Sequence, residues 1–375
     1  ISTTWSLHRP ADAPPARRNR GSVTNDSHFT VTPPEVPDEY NPTGAYRTTI
    51  TFPPDWQAQQ VFLRLEKIAS ASFLWVNGQE VGYHEGAHEP SEYNITPYLQ
   101  PGTNTIAILV LKFSDGYYLE GQDYWRLAGI FGDVWLYATP PVRLYDWQVL
   151  TDLDDTYTDA QLTLNVDVRS YKSVGQPYRV TGTLVRDGKT ITQMTSPAFT
   201  MSQEQQTVSL ETFVENPAKW TAETPELYRL GLQLWNEENK VVDQILTRIG
   251  FKETEIKGNT FYLNGVPIKI NAMNSHMQHP RLGHAMDEET IHEDFKLLKQ
   301  FNFNAVRTSH YPPVNQYLEL ANEYGLYIID ETGDEAHATE YVSEMPTYTA
   351  MYRDRVKRMV LRDRNYPCLF YTSDA

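Results

Sequence analysis

Three short apolar segments in the last third of the chain each run directly into side chains that can move protons or hold ions. IKINAMN runs into Ser275, His276 and His279. NAVRTS runs into Ser309 and His310, and LYIID runs into Glu331, Asp334, Glu335 and His337. Imidazoles and carboxylates are the groups of acid–base and nucleophilic chemistry. Singly, His276 or His310 reads as a satisfied structural histidine. Three strands ending alike read as a site rim at the carboxyl ends of parallel strands. Glu335 and His337, two residues apart, can reach one divalent ion. Mg2+ or Mn2+ would accept the carboxylate oxygen and keep several waters, and the plain alternative is an ion pair or a solvated loop. CxxC, Walker and GxGxxG patterns are absent.

The elements that must position these groups begin after Phe251. Asp287 reads as the N-cap of a helix with Ile291, Phe295, Leu298 and Phe301 at helical spacing. VNQYLELANEY reads as a second helix closed by Gly325, and TAMYRDRVKRMVLRDR as a third. CLFYT reads as one more strand. Alternating strands and helices mean βαβ units, either half of a (β/α)8 barrel or a small doubly wound sheet.

Two β regions precede them. Strand-like runs between Thr30 and Pro140, with a hairpin signal at Asn77-Gly78, suggest a jelly roll. A second set follows, with AQLTLNVDV alternating and a turn at Asp187-Gly188, and its size is immunoglobulin-like. The expected division is an irregular lead-in over 1–24, a jelly roll over 25–140, an immunoglobulin-like sandwich over 141–252 and a partial TIM barrel over 253–375.

Composition narrows the function. A net charge of −16 argues against nucleic acid, which needs a basic face, and gives no support for an anionic membrane. No run of ~18 apolar residues suggests a spanning helix. The one cysteine, Cys368, rules out an intrachain disulfide and suits the cytoplasm, with the periplasm left open. Aromatics reach 12%, and such rings either stack on sugar faces or fill sandwich cores. The start at Ile1, without Met or a signal-like leader, reads as that of a fragment.

RTSHYPP (307–313), GLYIIDETGDEAH (325–337) and RMVLRDRNYP (358–367) resemble the barrel of glycoside hydrolase family 2, in particular its large β-galactosidases. SDGYYLEGQDYWRLAGIFGDVWL (114–136) is similar to the signature of that family's jelly roll, and WTAETPELYRL (220–230) to its sandwich exit. The resemblance implies a retaining hydrolase of terminal β-D-galactose, with two glutamates as acid/base and nucleophile. It implies that Glu335 and His337 ligate Mg2+, that His276 and His310 hold the galactose, and that Arg307 orients the nucleophile. It further implies that Asp123 meets substrate and a Na+ ion, that Asn25 contacts substrate, and that the intact protein is a homo-oligomer.

The same resemblance places the acid/base glutamate about two residues past Ala375 and the nucleophile further on, so the isolated chain is expected to be inactive. β-Glucuronidase and β-mannosidase are the rival activities within the family. Outside it stand a non-catalytic carbohydrate-binding protein and a complementing subunit of a two-chain glycosidase.

Overall fold

The structure, a computed structural model, describes residues 6–8, 32–37, 40–121, 125, 127–172, 175–337 and 339–370. Asn25 and Asp123, both expected at the sugar, lie outside these residues.

The first region is a jelly-roll sandwich. One antiparallel sheet runs Ser6–His8, Thr43–Thr51, Thr103–Leu111, Ala71–Val76, Gln79–Glu85, and a second runs Val134–Thr139, Gln60–Leu65, Ser91–Asn94. Ile106, Ile108 and Val110 point into the core with Leu74, Val76, Leu63 and Leu65, as period-2 alternation requires. Asn77 and Gly78 take φ of 50° and 79°, the left-handed pair that a tight hairpin needs. Ser6–His8 departs from the irregular lead-in expected over 1–24. It lies along Thr43–Thr51, whose edge would otherwise leave backbone groups unpaired.

The second region packs the sheet Val142–Leu153, Ala160–Ser170, Gln205–Val214 against the sheet Lys189–Thr195, Pro177–Arg186, Tyr228–Asn236, Val241–Ile249. Leu162, Leu164, Val166 and Val168 are fully buried against Val180, Leu184, Leu230 and Leu232. This is an immunoglobulin-like two-sheet core.

The third region begins with a small antiparallel sheet, Thr254–Lys257, Thr260–Leu263 and Val266–Pro267. Three parallel strands follow in chain order, Ala272–Asn274, Ala305–Arg307 and Tyr327–Ile329, and Leu369 pairs in parallel with Ile328 as the start of a fourth. Sequential order without reversal is the first part of a TIM barrel. A doubly wound sheet would reverse at a switch point.

Helices α1 (Glu288–Gln300) and α2 (Asn315–Tyr324) cross between these strands, and α3 (Thr349–Asp363) precedes the last. Asp287 caps α1 by accepting from Thr290 N at 2.9 Å. Gly325 closes α2 at φ 67°. Phe301 does not join the buried stripe of α1: it is the C-cap, and 70% of it is exposed. Of the strand expected over CLFYT, residues 368–370 pair with Ile328 alone, Ile328 N donating to Cys368 O at 2.8 Å and Phe370 N to Ile328 O at 3.2 Å. Trp220, fully buried, ties the sandwich to the barrel by donating from Nε1 to Asn322 O at 3.0 Å. No helix among the described residues is long and apolar enough to cross a membrane.

Candidate active site

Of the side chains singled out at the three strand ends, His276, His310, Glu331, Glu335 and His337 converge. The Arg307 guanidinium pairs through Nε with Glu331, and His310 Nδ1 lies 2.9 Å from Glu331 Oε2 and 3.2 Å from Arg307 Nη2. Glu331 is thus held between a guanidinium and an imidazole. A charged Glu331 favours the hydrogen on His310 Nδ1, which directs Nε2 the other way, to 3.6 Å from Glu335 Oε2. His276, from the end of the first strand, meets His310 edge to face at 5.5 Å between centroids.

Glu335 stands between His310 and His337, its Oε1 3.9 Å from His337 Nδ1. Its Oε2 is buried and has no hydrogen-bond partner among the described residues. An oxygen left in that state fits a cation's shell better than a closed ion pair does. The donors are two: among the described residues no group of three or more His, Cys, Asp or Glu side chains is arranged to hold a metal ion.

His279 is spent elsewhere. It is buried, its Nδ1 accepts from Arg281 N at 3.1 Å and Leu282 N at 2.9 Å, and its Nε2 lies 3.8 Å from Asp287. Both ring nitrogens shape the loop before α1. Asp330 is half-buried, and its carboxyl is raised well above the usual range by loss of water around it and by the like charge of Asp363.

The jelly roll supports the site from beneath. Tyr311, next to His310, stacks on His88 at 4.0 Å with 9° between the planes, and its Oη accepts from Met277 N at 3.0 Å. Lys67 donates to Pro312 O at 3.1 Å and places its ammonium 5.6 Å from the Tyr311 ring. Burial pushes the Lys67 ammonium down to about 7 and holds His88 well below the ordinary imidazole value. Lys67, His88 and Tyr311 were not anticipated from sequence. One signal was present for Lys67: it shares the phase of Val61, Leu63 and Leu65, all buried, so a lysine sits at a core-facing position.

Known proteins match along nearly the whole chain. Profiles of the glycosyl hydrolases family 2 sugar binding domain, of glycosyl hydrolases family 2, and of the glycosyl hydrolases family 2 TIM barrel domain match residues 18–140, 142–252 and 254–373 in turn. A β-galactosidase of Priestia megaterium is 39% identical over 355 residues, 91% of this chain and 34% of the relative. One from Yersinia pestis is 36% identical over 389 aligned positions, 100% of this chain and 36% of the relative. The chain therefore spans about a third of the length of these curated relatives. Among solved structures, a Bacteroides uniformis β-glucuronidase superposes with a TM-score of 0.82 at 25% identity, over 99% of this chain and 46% of the other. A Bacteroides vulgatus β-glycosidase gives 0.74 at 25%, over 88% and 41%. The chain belongs to glycosyl hydrolase family 2.

Proposed function

We propose, with that membership as premise, that the chain forms the sugar-holding side of a retaining glycosidase acting on terminal β-D-galactose. The observation that carries this reading is the convergence of His276, His310 and the Arg307–Glu331 pair at the ends of consecutive parallel strands. With Nδ1 fixed by Glu331, His310 presents Nε2 as a hydrogen-bonding group for ring hydroxyls, and His276 offers a second imidazole beside it. Arg307 is held by Glu331 and His310, ready to orient a carboxylate brought in from another part of the intact enzyme. Asp123 and Asn25 complete the sugar contacts in this reading, with Na+ beside Asp123.

Glu335 and His337 would hold Mg2+, or Mn2+, whose charge would steady negative charge beside the sugar. Glu335 would contribute the oxygen that lacks a hydrogen bond. In this reading the acid/base and nucleophile carboxylates come from the part of the relatives' length that this chain does not span, and the 375 residues alone would bind a galactoside without cleaving it.

The β-glucuronidase likeness supplies a second reading. A glucuronide needs a cation for its carboxylate. Lys67 is buried against Pro312, and Arg307 serves an enzyme carboxylate in this reading, which favours the neutral sugar.

Titration of the 375-residue chain with isopropyl β-D-thiogalactoside and phenyl β-D-thioglucuronide, followed by NMR line shifts, tests the choice. The galactoside should bind tighter, and His310→Ala should weaken it about tenfold, the size of a lost hydrogen bond. Tighter glucuronide binding, or an indifferent His310→Ala, would overturn the reading.

A further inference from the structure

Arg355 projects from α3 of the barrel region into a socket built by the jelly roll, 235 residues away along the chain. Its side chain is 4% exposed. Nη2 donates to Glu120 Oε1 at 2.8 Å, and Nε lies 3.5 Å from Asp334 Oδ1, with Glu120 5% and Asp334 8% exposed. Glu120 is itself fixed, because the same Oε1 accepts from Ala87 N at 2.9 Å. Two glycines make the room. A Cβ on Gly116 would meet Glu85 Oε1 and lie 2.8 Å from Arg355 Nη2, and one on Gly86 would lie 2.8 Å from Glu89 Oε2. Around the socket, Thr339 Oγ1 donates to Tyr118 O at 2.9 Å and Tyr348 Oη to Asp115 O at 3.2 Å.

We infer that Arg355 is a positioning residue which locks two loops into one register: barrel loop 330–337, and jelly-roll segment 114–121. Asp334 immediately precedes Glu335 in the barrel loop, and Glu120 belongs to the jelly-roll segment, so one guanidinium meets both loops. A buried guanidinium is costly to leave unpaired, so the two loops cannot drift apart while it stays in the socket. Nothing about Arg355 requires it to touch sugar or ion. Its meaning for catalysis rests on the galactosidase reading above, whereas its positioning role does not.

Hydrogen exchange by mass spectrometry on the full 375-residue chain tests the inference. Arg355→Met should speed exchange about tenfold or more in both 330–337 and 114–121, and leave α2 and the strands of the second sandwich unchanged. Arg355→Lys should restore part of the protection in both segments, because an ammonium between Glu120 and Asp334 still attracts both carboxylates. Glu120→Gln, which keeps volume and removes charge, should loosen the same two segments and carries the test where Arg355→Met does not fold.

Loosening of α3 alone, of the whole chain equally, or of only one segment would overturn the inference, and so would a lysine variant that behaves like methionine. Isopropyl β-D-thiogalactoside affinity should fall at least tenfold in Arg355→Met and recover in Arg355→Lys. A wild-type chain that binds no thiogalactoside overturns the galactosidase reading while the exchange result still decides the role of Arg355.

Discussion

Replacing Glu89 by glutamine should stabilise the protein increasingly as pH rises from about 4.5 to about 7, and fully above that. Glu89 is 3% exposed, beside the socket that receives Arg355, and its Oε1 has no hydrogen-bond partner among the described residues. Burial pushes its carboxyl from 4.5 up to about 7; the charge of Glu120 adds to the rise and Arg355 opposes it. A rise of about 2.5 units, at about 1.4 kcal/mol each, is worth roughly 3 kcal/mol. The direction follows from proton counting. Between 4.5 and 7 the native state keeps a proton that the unfolded chain has released, so native stability falls as pH rises through that window and the loss is complete above it. Glutamine imitates the protonated acid and has nothing to titrate. The variant should match the wild type near about pH 5 and exceed it by up to roughly 3 kcal/mol near about pH 8. Calorimetry reads this as a pH-dependent gap of about 2–4 °C per kcal/mol in the transition that involves the jelly roll. A gap that is the same at both pH values, or a variant less stable at the higher one, would refute the assignment of a buried, proton-retaining carboxyl.

Gly325→Ala should cost on the order of 1–3 kcal/mol, since φ is 67° and the new Cβ would run into Ala222 O; chemical denaturation monitored at Trp220 reports it. Asp287→Ala removes the cap bond to Thr290 N and should cost about 1 kcal/mol, seen as faster amide exchange in the first turn of α1. Glu335→Gln should abolish any Mn2+ binding detected by electron paramagnetic resonance in the wild-type chain while leaving the unfolding temperature within about a degree, the mark of a surface-scale change. Limited trypsinolysis should cut within 260–370 well before the second sandwich. Met273, Leu297 and Phe301 are 46%, 52% and 70% exposed there, whereas the second sandwich closes around a large buried core.

What sequence could reveal was what neighbours in sequence decide together. The Asn77-Gly78 and Asp187-Gly188 turns, the inward face Leu162, Leu164 and Val166, the Asp287 cap and the Gly325 stop all depend on a handful of adjacent residues, and each is found in place. The convergence of His276, His310 and Glu335 was legible for a related reason: parallel strands deliver their carboxyl ends to one face whatever the loops do. His279 shows the limit of that inference. It follows the same strand end as His276, yet the backbone amides of Arg281 and Leu282 claim its ring, and no spacing rule announces a bond to an amide in the next turn.

The contacts that brace the site are of another kind. Lys67 and Pro312 are 245 residues apart, and Glu120 and Arg355 are 235 apart. Periodicity can flag such a residue only as an anomaly, a charge at a position whose phase is buried. That anomaly is informative. A buried ammonium or guanidinium is tolerated only where a partner is fixed to meet it, so its presence just past a sandwich strand or on a barrel helix implies a surface built on another domain. Lys67 beneath Tyr311 and Arg355 between Glu120 and Asp334 both answer to that description, and both lie directly under the loops that carry His310 and Glu335. The jelly roll therefore does more than stand beside the barrel: its charged interior positions fix the loops on which the candidate sugar-holding residues sit.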